Sequence, residues 1–155
     1  MMSTGFHQLA PIVVQAGLLR QNEIMAVENP EAHLHPSLQI EVAQFLMHQA
    51  NAGKIMLIET HSDLFVRRVL RAIREEQVSP GNVFKQSSVG INFTSLAPVE
   101  EGRDYTYAKI EELKINDQGQ IANWPPGFMD DDLEEAHKFI DAQRNAAEEE
   151  DTPDE

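Results

Sequence analysis

The sequence predicts an α/β fold: a parallel βαβ unit followed by a small α+β region. Three observations predict it. Two short apolar runs, "IMAVE" at 24–28 and "KIMLIET" at 54–60, are too brief for helices and read as buried strands. A stretch of helical period at 36–51 lies between them, so the strands should be parallel neighbours joined by a right-handed crossover. After "SPGN" at 79–82 the texture changes to short stretches of the kind that form antiparallel strands.

The first element is a helix over 6–20, where Leu9, Ile12, Val13, Ala16 and Leu19 recur at helical spacing. The strand at 24–28 is bounded by Asn22 and Pro30. Pro36 then suits the first position of a helix over 36–51. Its apolar stripe is Leu38, Val42, Phe45 and Leu46, widened by Ile40, Ala43 and Met47. "NAG" at 51–53 ends it, with Gly53 as the cap. "HSD" at 61–63 signals the next helix start, and Phe65, Val66, Val69, Leu70 and Ile73 form its stripe.

In the second region "NVFKQ", "GINFTSL", "YTYAKIEELKI" and "QIANW" read as strands, with "NDQG" at 116–119 as a hairpin turn. "WPPGF" at 124–128 reads as a rigid connector held by packing of Trp124 and Phe128. An acidic helix is expected over 131–147 and disorder over 148–155. The expected organisation is therefore 1–78, 79–147 and a tail at 148–155.

At 155 residues the chain is long enough for one compact domain with a core. It has no cysteine, which excludes disulfides and thiolate metal sites and fits a reducing cytoplasm. No apolar run approaches the roughly 20 residues of a membrane span, and no signal peptide is visible. The charge is −14, from 26 acidic and 12 basic residues, and 12 of the acids follow Phe128. Such a chain repels nucleic-acid phosphates overall. The local exception is Arg67, Arg68, Arg71 and Arg74, which read as solvated helix charge before they read as a binding face.

The residues that carry chemistry cluster at the strand ends. In an open parallel sheet, ligands collect at the carboxyl ends of the strands. Glu28 and His61 lie at those two ends and should be neighbours in space. Glu28 is placed to present a hard oxygen to magnesium, and Glu31 to orient an attacking water or act as a base. His61 is suited to hydrogen-bond a terminal phosphate oxygen, with Thr60 and Ser62 holding its ring. "HLH" at 33–35 invites a zinc reading. Pro36 argues against it by making 33–36 a turn, which leaves His33 to orient the loop and His35 to cap the helix.

"IMAVENPEAHLHP" followed by "IETHSD" resembles the second half of an ABC-type AAA-family ATPase, of the branch related to the OLD and SMC-like ATPases. The first stretch is similar to a Walker B motif and the second to a switch-histidine motif. "WPPGF" resembles the WP-x-GF signature of an uncharacterised C-terminal domain carried by such ATPases. The resemblance implies a partial P-loop NTPase, its Walker B half, with ATP and Mg²⁺ as cofactors. It gives Glu28 the magnesium-linked position and His61 the γ-phosphate-sensing position. Asn29 stands at the nucleotide where many relatives keep a catalytic glutamate, and an amide is no general base. "STGFHQ" at 3–8 loosely resembles the signature loop that reaches the nucleotide of the opposite subunit, which makes Ser3 and Gly5 candidates. A homodimer or a partner chain bearing the Walker A loop is implied. Nucleic-acid work is implied by the resemblance alone.

No G-x-x-x-x-G-K-[ST] loop occurs in the sequence, and the one Gly-Lys pair, Gly53–Lys54, precedes a strand. Because that loop and its lysine supply most of the neutralisation of a triphosphate, the chain alone should bind ATP weakly and turn it over negligibly. It should also expose apolar sheet surface. A shortened gene product, a split ATPase or an excised segment would each produce this pattern. Two other functions compete: a non-catalytic interaction module derived from such an ATPase, and a metal-dependent hydrolase built on His33, His35 and His61.

Overall fold

The structure is a computed structural model that describes residues 4–78, 84–98 and 106–129. The expected helix at 131–147, the tail at 148–155, the "SPGN" turn and Ser3 lie outside the described residues. The chain divides into two compact units, Met1–Ile91 with Lys114–Ala122, and Asn92–Leu113 with Asn123–Glu155.

In the first unit the elements follow the predicted order. Helix α1 spans Thr4–Leu18, strand β1 Ile24–Glu28, helix α2 Pro36–Asn51, strand β2 Ile55–Glu59 and helix α3 Asp63–Val78. Strands β1 and β2 pair in parallel, with Ile24 opposite Ile55 and Glu28 opposite Glu59. Pro36 begins α2. Gly53 follows its end at φ 86°, a left-handed conformation that glycine adopts without a Cβ penalty.

The core lies on one side of this sheet. Met25 is buried together with Ile12 and Ala16 of α1, Val42, Ala43 and Leu46 of α2, and Phe65 of α3. Val27, Met56 and Ile58 pack against the same cluster. Side chains alternate across a strand, so the remaining strand residues point the other way. There Ile24 is 65% exposed, Ile55 50% and Leu57 65%. Neither strand is buried on both faces: among the described residues the helices cover one face only, and the other exposes apolar sheet surface as expected. In the α2 stripe, Leu38 is the exception, at 39% exposed.

A second cluster joins Met47 of α2 and Ala72 and Ile73 of α3 to Phe84 and Ile115. Ile115 belongs to a hairpin whose antiparallel bridge is Ile115–Ile121. The "NDQG" turn forms as expected. The Asn116 side-chain oxygen accepts the backbone N–H groups of Gln118 and Gln120, at 3.0 and 2.9 Å. Gly119 stands at φ 69°, and a Cβ there would collide with the Leu70 carbonyl oxygen of α3. "NVFKQ" is not a strand where it is described. Phe84 is buried in the second cluster and Gln86–Ser88 is one turn of 3-10 helix. The Gln86 side chain donates to the Ile115 carbonyl at 2.8 Å. Phe84 thus serves as an apolar anchor for the turn, and no ladder extends it.

The second unit holds strand β3, Ile91–Pro98, from Asn92 onward, and strand β4, Thr106–Leu113. The two strands form a two-stranded sheet. "WPPGF" packs as expected. The Phe128 ring meets Trp124 and Phe93 edge to face, at centroid distances of 5.2 and 5.3 Å, and Phe128 is buried. Among the described residues, no helix is long and apolar enough to cross a membrane.

Candidate functional site

The site is built by the two loops that leave the parallel strands. The ladder brings Glu28 opposite Glu59, and the Asn29 N–H donates to the Glu59 carbonyl at 2.8 Å, extending the pairing one residue past β1. The chain then reverses sharply. Asn29 has φ 45° and His33 φ 61°, with Pro30 fully buried between them. Asparagine enters the left-handed region more readily than most residues, so Asn29 suits its backbone position although it cannot act as a base. The Ala32 N–H closes the turn onto the Asn29 carbonyl at 3.0 Å. The Gln8 side chain donates to that same carbonyl at 3.3 Å, tying α1 to the loop.

Glu31 is the buried acid of the site, at 8% exposure. Its Oε1 accepts the backbone N–H of His61 at 3.0 Å, across a separation of 30 residues. That bond joins the loop after β1 to the loop after β2. A second link runs through Gln39 in the first turns of α2. Its side-chain nitrogen donates to the Leu34 carbonyl at 3.1 Å, and its oxygen accepts from Ser62 Oγ at 2.7 Å. Ser62 Oγ also accepts the Phe65 N–H at 3.1 Å, which starts α3.

The two strand tips are therefore adjacent and cross-linked, as the positions of Glu28 and His61 lead one to expect. Both of these side chains are exposed. Glu59 stands beside Glu28 in register, on the same exposed face of the sheet. Like charges at paired strand positions repel, so a cation at this end would offset a real cost. Two buried acceptors, Asn29 Oδ1 and Glu31 Oε2, have no hydrogen-bond partner among the described residues. Buried polar atoms of this kind call for a donor or a cation. Glu28 and Glu59 offer exposed carboxylate oxygens, the hard ligand type that a hydrated magnesium ion takes.

The remaining candidates fall as follows. His35 caps α2: its Nδ1 lies 3.4 Å from the Ser37 N–H it accepts and 3.0 Å from Ser37 Oγ. His33 is exposed. Among the described residues, no group of three His, Asp or Glu side chains could hold a metal ion, so the imidazole triad of the zinc reading does not assemble. The hydroxyls expected to hold the His61 ring have other partners. Thr60 Oγ1 accepts the Ser62 N–H at 3.0 Å, and Ser62 serves α3 and Gln39. Gly5 sits against the site loop, where a Cβ would come within 2.9 Å of Leu34 Cδ2 and 3.5 Å of the His33 carbonyl. Lys54, of the Gly-Lys pair, donates to the Ala16 carbonyl and to Gln49 Oε1, which ties α1 to α2. On α3, Arg67 pairs with Asp63 at 3.6 Å, and Arg68 and Arg71 pair with Glu75 at 3.2 and 2.8 Å. Those acids neutralise much of the basic face.

Two contributors, Gln8 and Gln39, have no signal in the motifs. Both glutamines look like polar filler on helix surfaces, and only the fold turns them toward the loops. Glu59 was legible in principle, because strands paired from equivalent positions must place their last residues side by side.

Residues 1–66 match the family model of the AAA ATPase domain. The matched stretch holds Glu28, Asn29, Glu31 and His61 and supports an ATPase-family origin for this part of the chain. No curated protein and no solved structure matches the chain.

Proposed function

We propose that residues 1–78 supply the Walker B half of an ATP-binding and ATP-hydrolysing site of the ABC type, completed by a phosphate-binding loop from another polypeptide segment. The observation that carries this reading is the junction of the two loops, where the Glu31 carboxylate holds the His61 backbone beside a strand tip ending in Glu28. Glu28 would hold Mg²⁺ through water, and Glu59 adds negative potential at the same end. The His61 imidazole would donate to the terminal phosphate of ATP. Asn29 would contact the nucleotide by its amide, and Ser3 and Gly5 would approach a nucleotide held by a second copy. Bound Mg²⁺ would neutralise phosphate charge as the terminal group departs.

With Lys54 engaged by Ala16 and Gln49, the chain offers no lysine from its Gly-Lys pair to cradle phosphates. On this reading the chain alone binds nucleotide weakly and turns ATP over negligibly. The exposed face bearing Ile24, Ile55 and Leu57 favours a second reading, a non-catalytic interaction module that uses this apolar surface to bind a partner.

Binding of ATP and ADP to the full chain, measured by calorimetry with and without Mg²⁺, separates the two readings. A nucleotide site should show Mg²⁺-dependent binding that favours ATP. Glu28→Gln then removes the Mg²⁺ dependence. His61→Ala lowers the preference for ATP about tenfold, the scale of one hydrogen bond to a charged group. A chain that ignores both nucleotides in Mg²⁺ while remaining folded supports the interaction module.

A further inference from the structure

We infer that Glu31 is a positioning residue for His61 and does not act as a general base at this site. A general base must reach the water it activates. Glu31 is 8% exposed, its Oε1 is engaged by the His61 N–H, and its Oε2 is enclosed. Glu28 and His61, by contrast, are open to solvent at the same strand tips.

His61 needs such support. It lies between β2, which ends at Glu59, and α3, which begins at Asp63, so neither a ladder nor a helix fixes its backbone. The neighbouring restraints act on Ser62, through Thr60 Oγ1 and Gln39. Glu31 alone among the described side chains accepts the His61 N–H. The carboxylate is itself steadied by the turn it belongs to, where the Leu34 N–H donates to the Glu31 carbonyl at 3.1 Å and Pro30 is buried alongside. A rigid turn thus reaches across to a loop without regular structure and sets where its imidazole stands. The arrangement also links the histidine loop to the loop that follows Glu28, so displacement of one is felt by the other. Only the task assigned to the imidazole rests on the proposed nucleotide function. The positioning itself does not.

The test is backbone amide exchange of His61, followed by ¹H–¹⁵N NMR on the full chain without nucleotide. Glu31→Ala removes the acceptor, and His61 exchange should accelerate about tenfold or more, as expected for loss of a hydrogen bond to a charged group. The Leu46 amide, deep in α2, serves as the control for an intact fold. Glu31→Gln keeps a carbonyl oxygen of the same reach and should restore most of the protection. Glu31→Asp, one methylene shorter, should not. Equal His61 exchange in wild type and Glu31→Ala overturns the inference, and so does a Gln variant as unprotected as the Ala variant. In calorimetry with Mg²⁺, Glu31→Ala should lose ATP preference to the extent that His61→Ala does. Faster His61 exchange in Glu31→Ala, with no nucleotide preference in wild type or any variant, would sink the nucleotide reading and leave the positioning role standing.

Discussion

Gly119→Ala is expected to destabilise the first unit by about 3 kcal/mol or more, the sum of a left-handed backbone penalty and overpacking against a helix. The new methyl group would overlap the Leu70 carbonyl oxygen, and that oxygen belongs to the backbone of α3. A flexible side chain can swing aside; a helical carbonyl cannot without disturbing its own ladder. The substitution should therefore lift the 114–122 hairpin off α3 and open the second core cluster, where Ile115 meets Ala72 and Ile73. Urea unfolding should show a lower midpoint, and Ile115 and Ile73 should lose exchange protection together. Gly90→Ala is the matched control, since a methyl group added there would meet nothing within 4 Å. A Gly119→Ala chain as stable as wild type would mean that the hairpin does not seat there.

Leu46→Ala should destabilise by about 2–5 kcal/mol, from lost burial plus the cavity left behind. Leu46 is 1% exposed and sits in the first cluster with Met25, Val42 and Phe65. These side chains come from β1, α2 and α3, so a void there loosens the platform beneath both site loops. Net stabilities of whole domains are only about 5–15 kcal/mol, so the loss is a large fraction of what holds the unit together. Val14→Ala on α1, at 59% exposed, should change stability by about 0.5 kcal/mol or less. Denaturant midpoints for the two variants give the comparison. Equal midpoints would remove Leu46 from the core.

Much of the first unit was legible because local signals agreed. Pro36 marks a helix start, Gly53 a helix end, "HSD" another start, and the apolar runs between them fit only short strands. An exposed apolar sheet surface was expected from the missing phosphate-binding loop, but which face stays open could not be read from the strands themselves. "IMAVE" and "KIMLIET" are apolar on both faces, and composition alone cannot tell a covered face from an open one. The seat of the 114–122 hairpin on α3 was hidden for a related reason. It depends on Gly119 admitting the carbonyl of Leu70, far earlier in the chain, and periodicity carries no such information. "NVFKQ" misled because Phe84 is apolar for the sake of a core cluster.

At the candidate site, sequence spacing placed Glu28 and His61 at neighbouring strand tips, since parallel pairing leaves few alternatives. The role of Glu31 lay beyond it. A glutamate in a polar turn reads as a solvent-exposed acid, and only the close return of the second loop buries it. Gln39 shows the same limit. Its amide spans two loops because α2 begins with its first turns over the Leu34–His35 corner, a three-dimensional fact with no sequence signature.

The most direct measurement is the ¹H–¹⁵N chemical-shift footprint of Mg²⁺–ATP on the full chain, with binding expected in roughly the millimolar range. Shifts should concentrate at Glu28–Glu31 and Thr60–Ser62, and should vanish when Mg²⁺ is chelated and in Glu28→Gln. A footprint elsewhere on the chain, or one indifferent to both Mg²⁺ and Glu28, would contradict a nucleotide site at these strand tips.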